Sequence, residues 1–172
     1  MQAQKLRFLP FLFGILLPGT PQAAQTCNPN VMPTTPENAF TDHGNGTVTH
    51  NRTGLMWMKC VLGQSGSDCT TGSANAYTWD QALQTPVGFS YAGYSDWRVP
   101  NIKELASIAE TACYSPAINL SVFPNTPASY VWSASPSTYG SNLAWLLSFD
   151  YGYDYTYYKS NDSHVRLVRG GQ

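Results

Sequence analysis

The chain has 172 residues, with nine basic and ten acidic side chains and a formal net charge of −1. Only 11% of its residues are charged. No basic cluster is available to neutralise a polyanion, which excludes nucleic-acid binding. The length is typical of one domain with its own hydrophobic core.

Residues 1–24 are predicted to be a secretory signal peptide. Lys5 and Arg7 form a positively charged N-terminal region, and Leu6 to Leu17 form an apolar stretch. Ala23-Ala24 then provide small residues for cleavage. The apolar stretch is shorter than the roughly 20 residues that cross a membrane. Cleavage leaves seven basic and ten acidic side chains, a net charge of −3. We therefore expect an exported protein of the periplasm, cell surface or extracellular space, with membrane contact only during export.

The four cysteines are predicted to form two disulfides, because an even count favours pairing in an oxidising compartment. Cys60 and Cys69 flank a flexible segment that closes easily on itself, and Cys27 then pairs with Cys113 by elimination. Cys27 would tie down a leader of residues 25–38, which is rich in Pro, Thr and Asn. A zinc site is disfavoured, since the sequence has no C-x-x-C pair and no His near a cysteine.

The first half of the chain contains turn and helix signals. Asn45-Gly46 between β-prone residues predicts a hairpin over 39–50 whose turn residues accept positive φ, and Leu55–Met58 reads as a buried strand. Capping boxes predict helices that begin after Thr78 and Asn101. Leu105, Ile108 and Ala109 would form the apolar stripe of the second helix.

The second half reads as β structure. Four strands are predicted, over 130–135, 144–150, 155–159 and 164–169. Arg166 and Arg169 alternate with apolar residues on the last strand, where they suit salt bridges to acidic residues of neighbouring strands. The fold class is therefore α+β, with two short helices packed on an antiparallel sheet and long loops.

Several motifs occur in the order typical of one family. They are Asn45-Gly-Thr-Val, Thr53-Gly-Leu-Met-Trp57, Tyr77-Thr-Trp-x-x-Ala82, Tyr94-Ser-Asp-Trp-Arg-Val-Pro-Asn-x-x-Glu-Leu105, Phe123-Pro-Asn-Thr, Val131-Trp-Ser and Val165-Arg-Leu-Val-Arg-Gly-Gly171. The chain resembles the Lcl C-terminal (DUF1566) domains from about Phe40 to Gly171, and we assign residues 39–172 to such a domain.

The resemblance implies a C-type lectin-like fold, distantly similar to formylglycine-generating enzymes, whose N- and C-terminal strands pair. It also implies extracytoplasmic binding or adhesion in a bacterial envelope, with sulfated glycosaminoglycans as the ligand class of one branch. The calcium-binding strings of sugar-binding C-type lectins are absent, and no cysteine follows Cys113. A charge of −3 also disfavours heparin-like ligands.

The segment from Asp150 to Ser163 is the predicted ligand-binding region, because it contains five tyrosines, three aspartates, one asparagine and two serines. Tyrosine provides rigid contact area at low entropic cost, and its ring stacks on sugars. The binding candidates are Tyr151, Tyr153, Asp154, Tyr155, Tyr157, Trp145 and Asn161. The function expected is recognition of a surface glycan or protein, without catalysis, metal or cofactor and with an undetermined oligomeric state.

Other interpretations of these residues remain open. The tyrosines at 151, 153, 155 and 157 have the period of a strand, so all four could line one face of a structural hairpin. The aspartates at 150, 154 and 162 would hold a cation or form an exposed acidic turn. Trp97 and Arg98 are expected to be structural. A role in envelope assembly is the alternative function, and a hydrolase is the least favoured, although His43 and His50 could face each other across the hairpin.

Overall fold

The described part of the chain, residues 24–170 of a computed structural model, consists mainly of short strands with two α-helices. The signal peptide prediction lies outside these residues except for Ala24. The helices are α1 (Trp79–Gln84) and α2 (Ile102–Ala106), and a 3₁₀ turn spans Glu37–Ala39. The strands are β1 (Thr26–Cys27), β2 (Phe40–Asp42), β3 (Thr47–His50), β4 (Leu55–Met58), β5 (Gln64–Ser65), β6 (Thr71–Gly72), β7 (Cys113–Tyr114), β8 (Tyr130–Pro136), β9 (Leu143–Ser148), β10 (Tyr153–Tyr158) and β11 (Val168–Arg169).

The strands form antiparallel sheets, as predicted. One sheet has the order β11-β4-β3-β2 and another the order β10-β9-β8, while β1 pairs with β7 and β5 with β6. The C-terminal strand thus shares a sheet with the N-terminal hairpin. Its hydrogen-bonded neighbour, however, is β4, and the N-terminal strand β1 pairs with β7 instead.

Both helices begin at the predicted capping boxes. The Gln81 amide donates to the Thr78 hydroxyl, and the Glu104 amide donates to the Asn101 side chain. The second helix ends at Ala106, so Ile108 and Ala109 are buried beyond it rather than on a helical stripe. No helix in the described range is long and apolar enough to cross a membrane.

The hairpin of β2 and β3 forms as predicted, but its turn differs from the predicted one. Gly44 and Gly46 adopt positive φ, whereas Asn45 does not. The Asn45 side chain instead accepts hydrogen bonds from the amide and hydroxyl of Thr47. The positive φ of Gly46 favours glycine, and a methyl group there would also require the Tyr91 hydroxyl to shift.

Both predicted disulfides are present, Cys60–Cys69 and Cys27–Cys113. The second joins β1 to β7, where the two cysteines lie directly opposite each other. It closes a loop of 86 residues and fixes the start of the described chain to the segment that follows α2.

Two apolar clusters form the core, and the main sheets contribute opposite faces to them. Trp57, Leu105 and Leu147 belong to the first cluster. Trp132 and Leu146 belong to the second, together with Trp97. The alternation of strand side chains places successive residues of β9 in different clusters. The β8-β9-β10 sheet is therefore packed on both sides over at least part of its width.

Arg166 is fully buried, and its side chain makes no salt bridge within the described residues, contrary to our expectation. Its guanidinium donates to the carbonyls of Met58 and Lys59 and to the Thr126 hydroxyl, and it lies 4.8 Å from the ring centre of Phe123. Burial lowers its pKa to about 9, which still leaves it charged at neutral pH.

Arg98 and Arg169 pair with acidic residues that do not lie on neighbouring strands. Arg98 forms two 2.7 Å bonds to Glu104, as expected for a side chain that ties an acid near the helix cap. Arg169 pairs with Asp96, which lies in the loop before Arg98 rather than on an adjacent strand.

Glu110 holds residues 34 and 35 to the domain. Its carboxylate accepts bonds from the amides of Thr34, Thr35 and Ala112 and from both threonine hydroxyls. Burial alone would raise the pKa of Glu110, but these hydrogen bonds outweigh it and hold the pKa below its usual value. Glu110 lies four residues beyond the end of α2.

We expect Arg166→Lys to lower the free energy of unfolding by about 2–4 kcal/mol, measured by urea denaturation. An ammonium group retains the charge but cannot reach the two carbonyls and the hydroxyl together, which leaves buried groups unpaired. Arg169→Lys is the matched control, with an expected loss below about 1 kcal/mol because its ion pair is partly exposed. Equal losses would contradict a special role for Arg166.

We expect Glu110→Gln to lower stability at pH 7 by about 2–3 kcal/mol, because buried amides lose a charged acceptor. A folded-state pKa below the unfolded value stabilises the protein above the unfolded pKa, and this contribution disappears as pH falls through the folded value. Between pH 7 and 2, the free energy of unfolding should thus depend less steeply on pH in the variant than in the wild type. Glu37→Gln, at an exposed position, is the control variant. If the stability of Glu110→Gln depended on pH as steeply as that of the wild type, this assignment would be refuted.

Candidate ligand-binding surface

Strand β10 presents three predicted binding residues on one face. Because side chains alternate along a strand, Tyr153, Tyr155 and Tyr157 point to the same side of the sheet. In register they lie beside Ser148, Leu146 and Ala144 of β9, which are buried. The rings therefore lie along a packed sheet rather than on a loop.

A fourth tyrosine, Tyr130 of β8, completes this row. Its ring centre lies 6.3 Å from that of Tyr155, at 80°, and 5.7 Å from that of Tyr157, at 30°. Tyr157 in turn lies 6.2 Å from buried Trp132. We call Tyr130, Tyr153, Tyr155 and Tyr157 the tyrosine surface. Sequence reasoning missed Tyr130, because only the register of β8 against β9 brings it to β10.

The four rings differ in exposure. Tyr153 is 63% exposed, Tyr155 44% and Tyr130 42%, whereas Tyr157 is half-buried and packs against the second core cluster. Packing on the core thus applies to Tyr157 among these four, and ligand contact stays a prediction for the exposed rings. Tyr157 anchors the strand, and the other three rings are free to contact a ligand.

The remaining candidates do not join this surface. Tyr151 lies in the turn between β9 and β10 rather than on the strand. Asn161 lies in the turn after β10, where its backbone N–H donates to the Tyr158 carbonyl. Asp154 and Trp145 point to the opposite face of the sheet, since they alternate with Tyr155 and Leu146. The Trp145 ring lies 6.0 Å from that of Tyr139.

The charged and titratable candidates are separated in space. Within residues 24–170, no group of three or more His, Cys, Asp or Glu is arranged to hold a metal ion. Asp150 accepts a 2.6 Å bond from the Ser115 hydroxyl. The hairpin histidines do not face each other, because His50 lies opposite Phe40 and His43 shares a hydrogen bond with Thr49. Burial, aided by nearby Arg52, lowers the pKa of His50.

A cleft lies between the leader and the residues around Cys113. This cleft has a volume of about 670 Å³ and is lined by Pro33, Pro36, Asn119 and Glu110 among others. The Glu110 carboxylate is already saturated by protein donors. Glu37, which is exposed, also lines the cleft, but none of the lining residues is basic.

The sequence comparison agrees with the motif order and the fold. The chain matches the model of the Lcl C-terminal domain over residues 46–169. This match covers well over half of the chain, so the protein belongs to the Lcl C-terminal domain family. No curated protein matches the sequence.

The difference in exposure predicts different effects of truncation. We expect Tyr157→Ala to cost about 2–4 kcal/mol in unfolding free energy, because it removes a ring packed on Trp132. Tyr153→Ala should cost no more than about 0.5 kcal/mol, as for other exposed positions. Urea denaturation of both variants tests this, and a large loss in Tyr153→Ala would show that the whole row belongs to the core.

Proposed function

We propose that this domain is an exported, non-catalytic recognition module that binds a surface glycan or protein through the tyrosine surface. The observation that carries the proposal is the presence of three exposed tyrosine rings, Tyr130, Tyr153 and Tyr155, on one face of a packed sheet. Isolated exposed apolar residues are common on proteins, but adjoining aromatic rings of this kind mark interaction sites.

The physical basis is low entropic cost combined with a mixed apolar and polar surface. A tyrosine ring has two rotatable side-chain bonds, and here the strand backbone is fixed by the sheet, so little freedom remains to be lost on binding. The ring faces can stack on the apolar side of a sugar, while the phenol hydroxyls exchange hydrogen bonds with its hydroxyl groups. The same features also suit a protein partner.

The composition of the surface favours an uncharged ligand over a sulfated one. The tyrosine surface contains no basic side chain, whereas sulfated polymers are held by clustered Lys and Arg. Lys159, which follows β10, lies 4.3 Å from the ring centre of Trp79 and donates to the Ser141 carbonyl. It is thus engaged within the domain. We do not extend glycosaminoglycan binding to this chain.

We also propose a C-type lectin-like arrangement and export by a signal peptide. The first is supported by two capped helices, by long connections and by a sheet that contains both the N-terminal hairpin and the C-terminal strand. The second is supported by the two disulfides, which persist in oxidising compartments.

A glycan array probed with residues 25–172, in calcium and again in EDTA, tests the function. We expect binding in both conditions and at least a roughly tenfold loss in the double variant Tyr153→Ala/Tyr155→Ala. Stacking of a nucleobase on an aromatic ring contributes about 1–3 kcal/mol, and we expect the loss of two rings to cost a sugar ligand a similar amount in total. Tyr158→Ala is the matched control, an exposed tyrosine of the same strand that points to the other face.

The possible outcomes separate the ligand classes. Binding lost in EDTA would reveal a calcium site and overturn the metal-free proposal. Equal binding by the double variant and the Tyr158→Ala control would move the site away from the tyrosine surface. No binding in either calcium or EDTA would reject a glycan ligand and leave protein recognition.

A further inference from the structure

We propose that two copies of this chain associate through the outer edge of β10, each extending the β10-β9-β8 sheet of the other. This association does not depend on the tyrosine surface binding a ligand. Three features support it: the unpaired backbone groups at that edge, the open side of the sheet and the residues of the strand.

The edge of β10 carries unpaired backbone donors and acceptors. In an antiparallel ladder, successive residues direct these groups to alternate sides. Phe149 donates to the Ser129 carbonyl at 2.8 Å, so β9 pairs with β8 through its odd positions and with β10 through its even ones. The N–H and C=O groups of Asp154 and Thr156 therefore point away from the sheet. Within residues 24–170 no backbone bond reaches them, and β10 has no second strand neighbour.

The opposite edge of the same sheet is closed. Trp132 donates to the His164 carbonyl and His164 donates to the Tyr130 carbonyl, both at 2.9 Å. Further along β8, Ala134 donates to the Pro100 carbonyl at 2.7 Å. Another strand can therefore be added to this sheet beside β10 rather than beside β8.

Strand β10 lacks most devices that block edge pairing. Proteins protect edge strands with Lys, Pro, bulges or very short length. This strand has six residues, an uninterrupted register with β9, and neither Lys nor Pro. Asp154 is its one charged residue, and it weakens association without blocking the backbone groups.

The strand is self-complementary in one antiparallel register. With Tyr155 on the twofold axis, Asp154 lies opposite Thr156 of the second copy. The outward backbone groups of these two residues then form four hydrogen bonds, two for each copy. Each Asp154 carboxylate also faces a threonine hydroxyl. A register with Asp154 opposite its own equivalent would instead place like charges together.

This pairing would join the tyrosine surfaces of both copies. Paired residues of adjacent strands point to the same face of a sheet, so the β10 tyrosines of the two copies would form one continuous row. The interface would be small, and we expect exchange between monomer and dimer rather than an obligate assembly.

Sedimentation equilibrium of the mature chain from about 1 μM to about 1 mM tests the association. The wild type should dimerise, and Thr156→Val, which keeps the outward backbone groups and loses only the hydroxyl that faces Asp154, should show at most a small loss. Added salt should strengthen dimerisation by screening the two Asp154 carboxylates. Thr156→Pro removes an outward N–H, which edge strands tolerate, and should weaken dimerisation at least about tenfold. A monomeric wild type throughout, or equal dimerisation of Thr156→Pro, would overturn the proposal.

Oxidative cross-linking tests the register and does not require the proline variant to fold. Tyr155→Cys places two thiols at a twofold-related, non-hydrogen-bonded pair, whose Cα separation of roughly 4.5 Å suits a disulfide. We expect a covalent dimer from Tyr155→Cys and none from Tyr139→Cys, which is exposed elsewhere. Equal cross-linking of the two variants would contradict the pairing. The glycan array is read separately, so failure of either proposal leaves the other standing.

Discussion

The buried guanidinium of Arg166 is the constraint on which the relative placement of the elements depends. A charge without a carboxylate partner is costly to bury unless polar groups surround it. Here the last residue of β4 and the residue after it provide two carbonyls, Thr126 provides a hydroxyl and Phe123 provides a ring face. These partners come from separate parts of the chain, so the guanidinium can be solvated only when they are all in place. The cost of burying the charge therefore favours one arrangement over looser ones.

The chain segment that carries Arg166 also positions part of the tyrosine surface. The segment that carries Arg166 also contains His164, which closes the outer edge of β8 through hydrogen bonds with Tyr130 and Trp132. Tyr130 thus receives its position from the same chain segment that places the buried arginine. The aromatic row is then supported from below by buried residues of β9. Tyr157, which packs against the second core cluster, is the ring that ties this row to the core.

The features that sequence reasoning found are those encoded by local spacing. Each capping box needs only four consecutive residues, and the Cys60–Cys69 disulfide closes a short loop. The missed features depend on distant partners. Nothing near Arg166 in sequence shows that carbonyls more than a hundred residues away will solvate it. Tyr130 joins the candidate site only through the register of β9 with both neighbours. That register also turns Trp145 away from Tyr155.

The edge of β10 and the row of tyrosines have a common origin in the composition of the strand. A straight row of rings requires an uninterrupted register, because a bulge would shift Tyr153 out of line with Tyr157. A proline at an inward-facing position would remove a hydrogen bond to β9, and a lysine in the row would replace an aromatic contact. At the positions of the row, the substitutions that protect an edge strand would thus also break up the aromatic face, which leaves the alternate positions, such as Asp154 and Thr156, for edge protection. Asp154, which points to the other side of the sheet, is where a charge can lie at this edge without interrupting the rings.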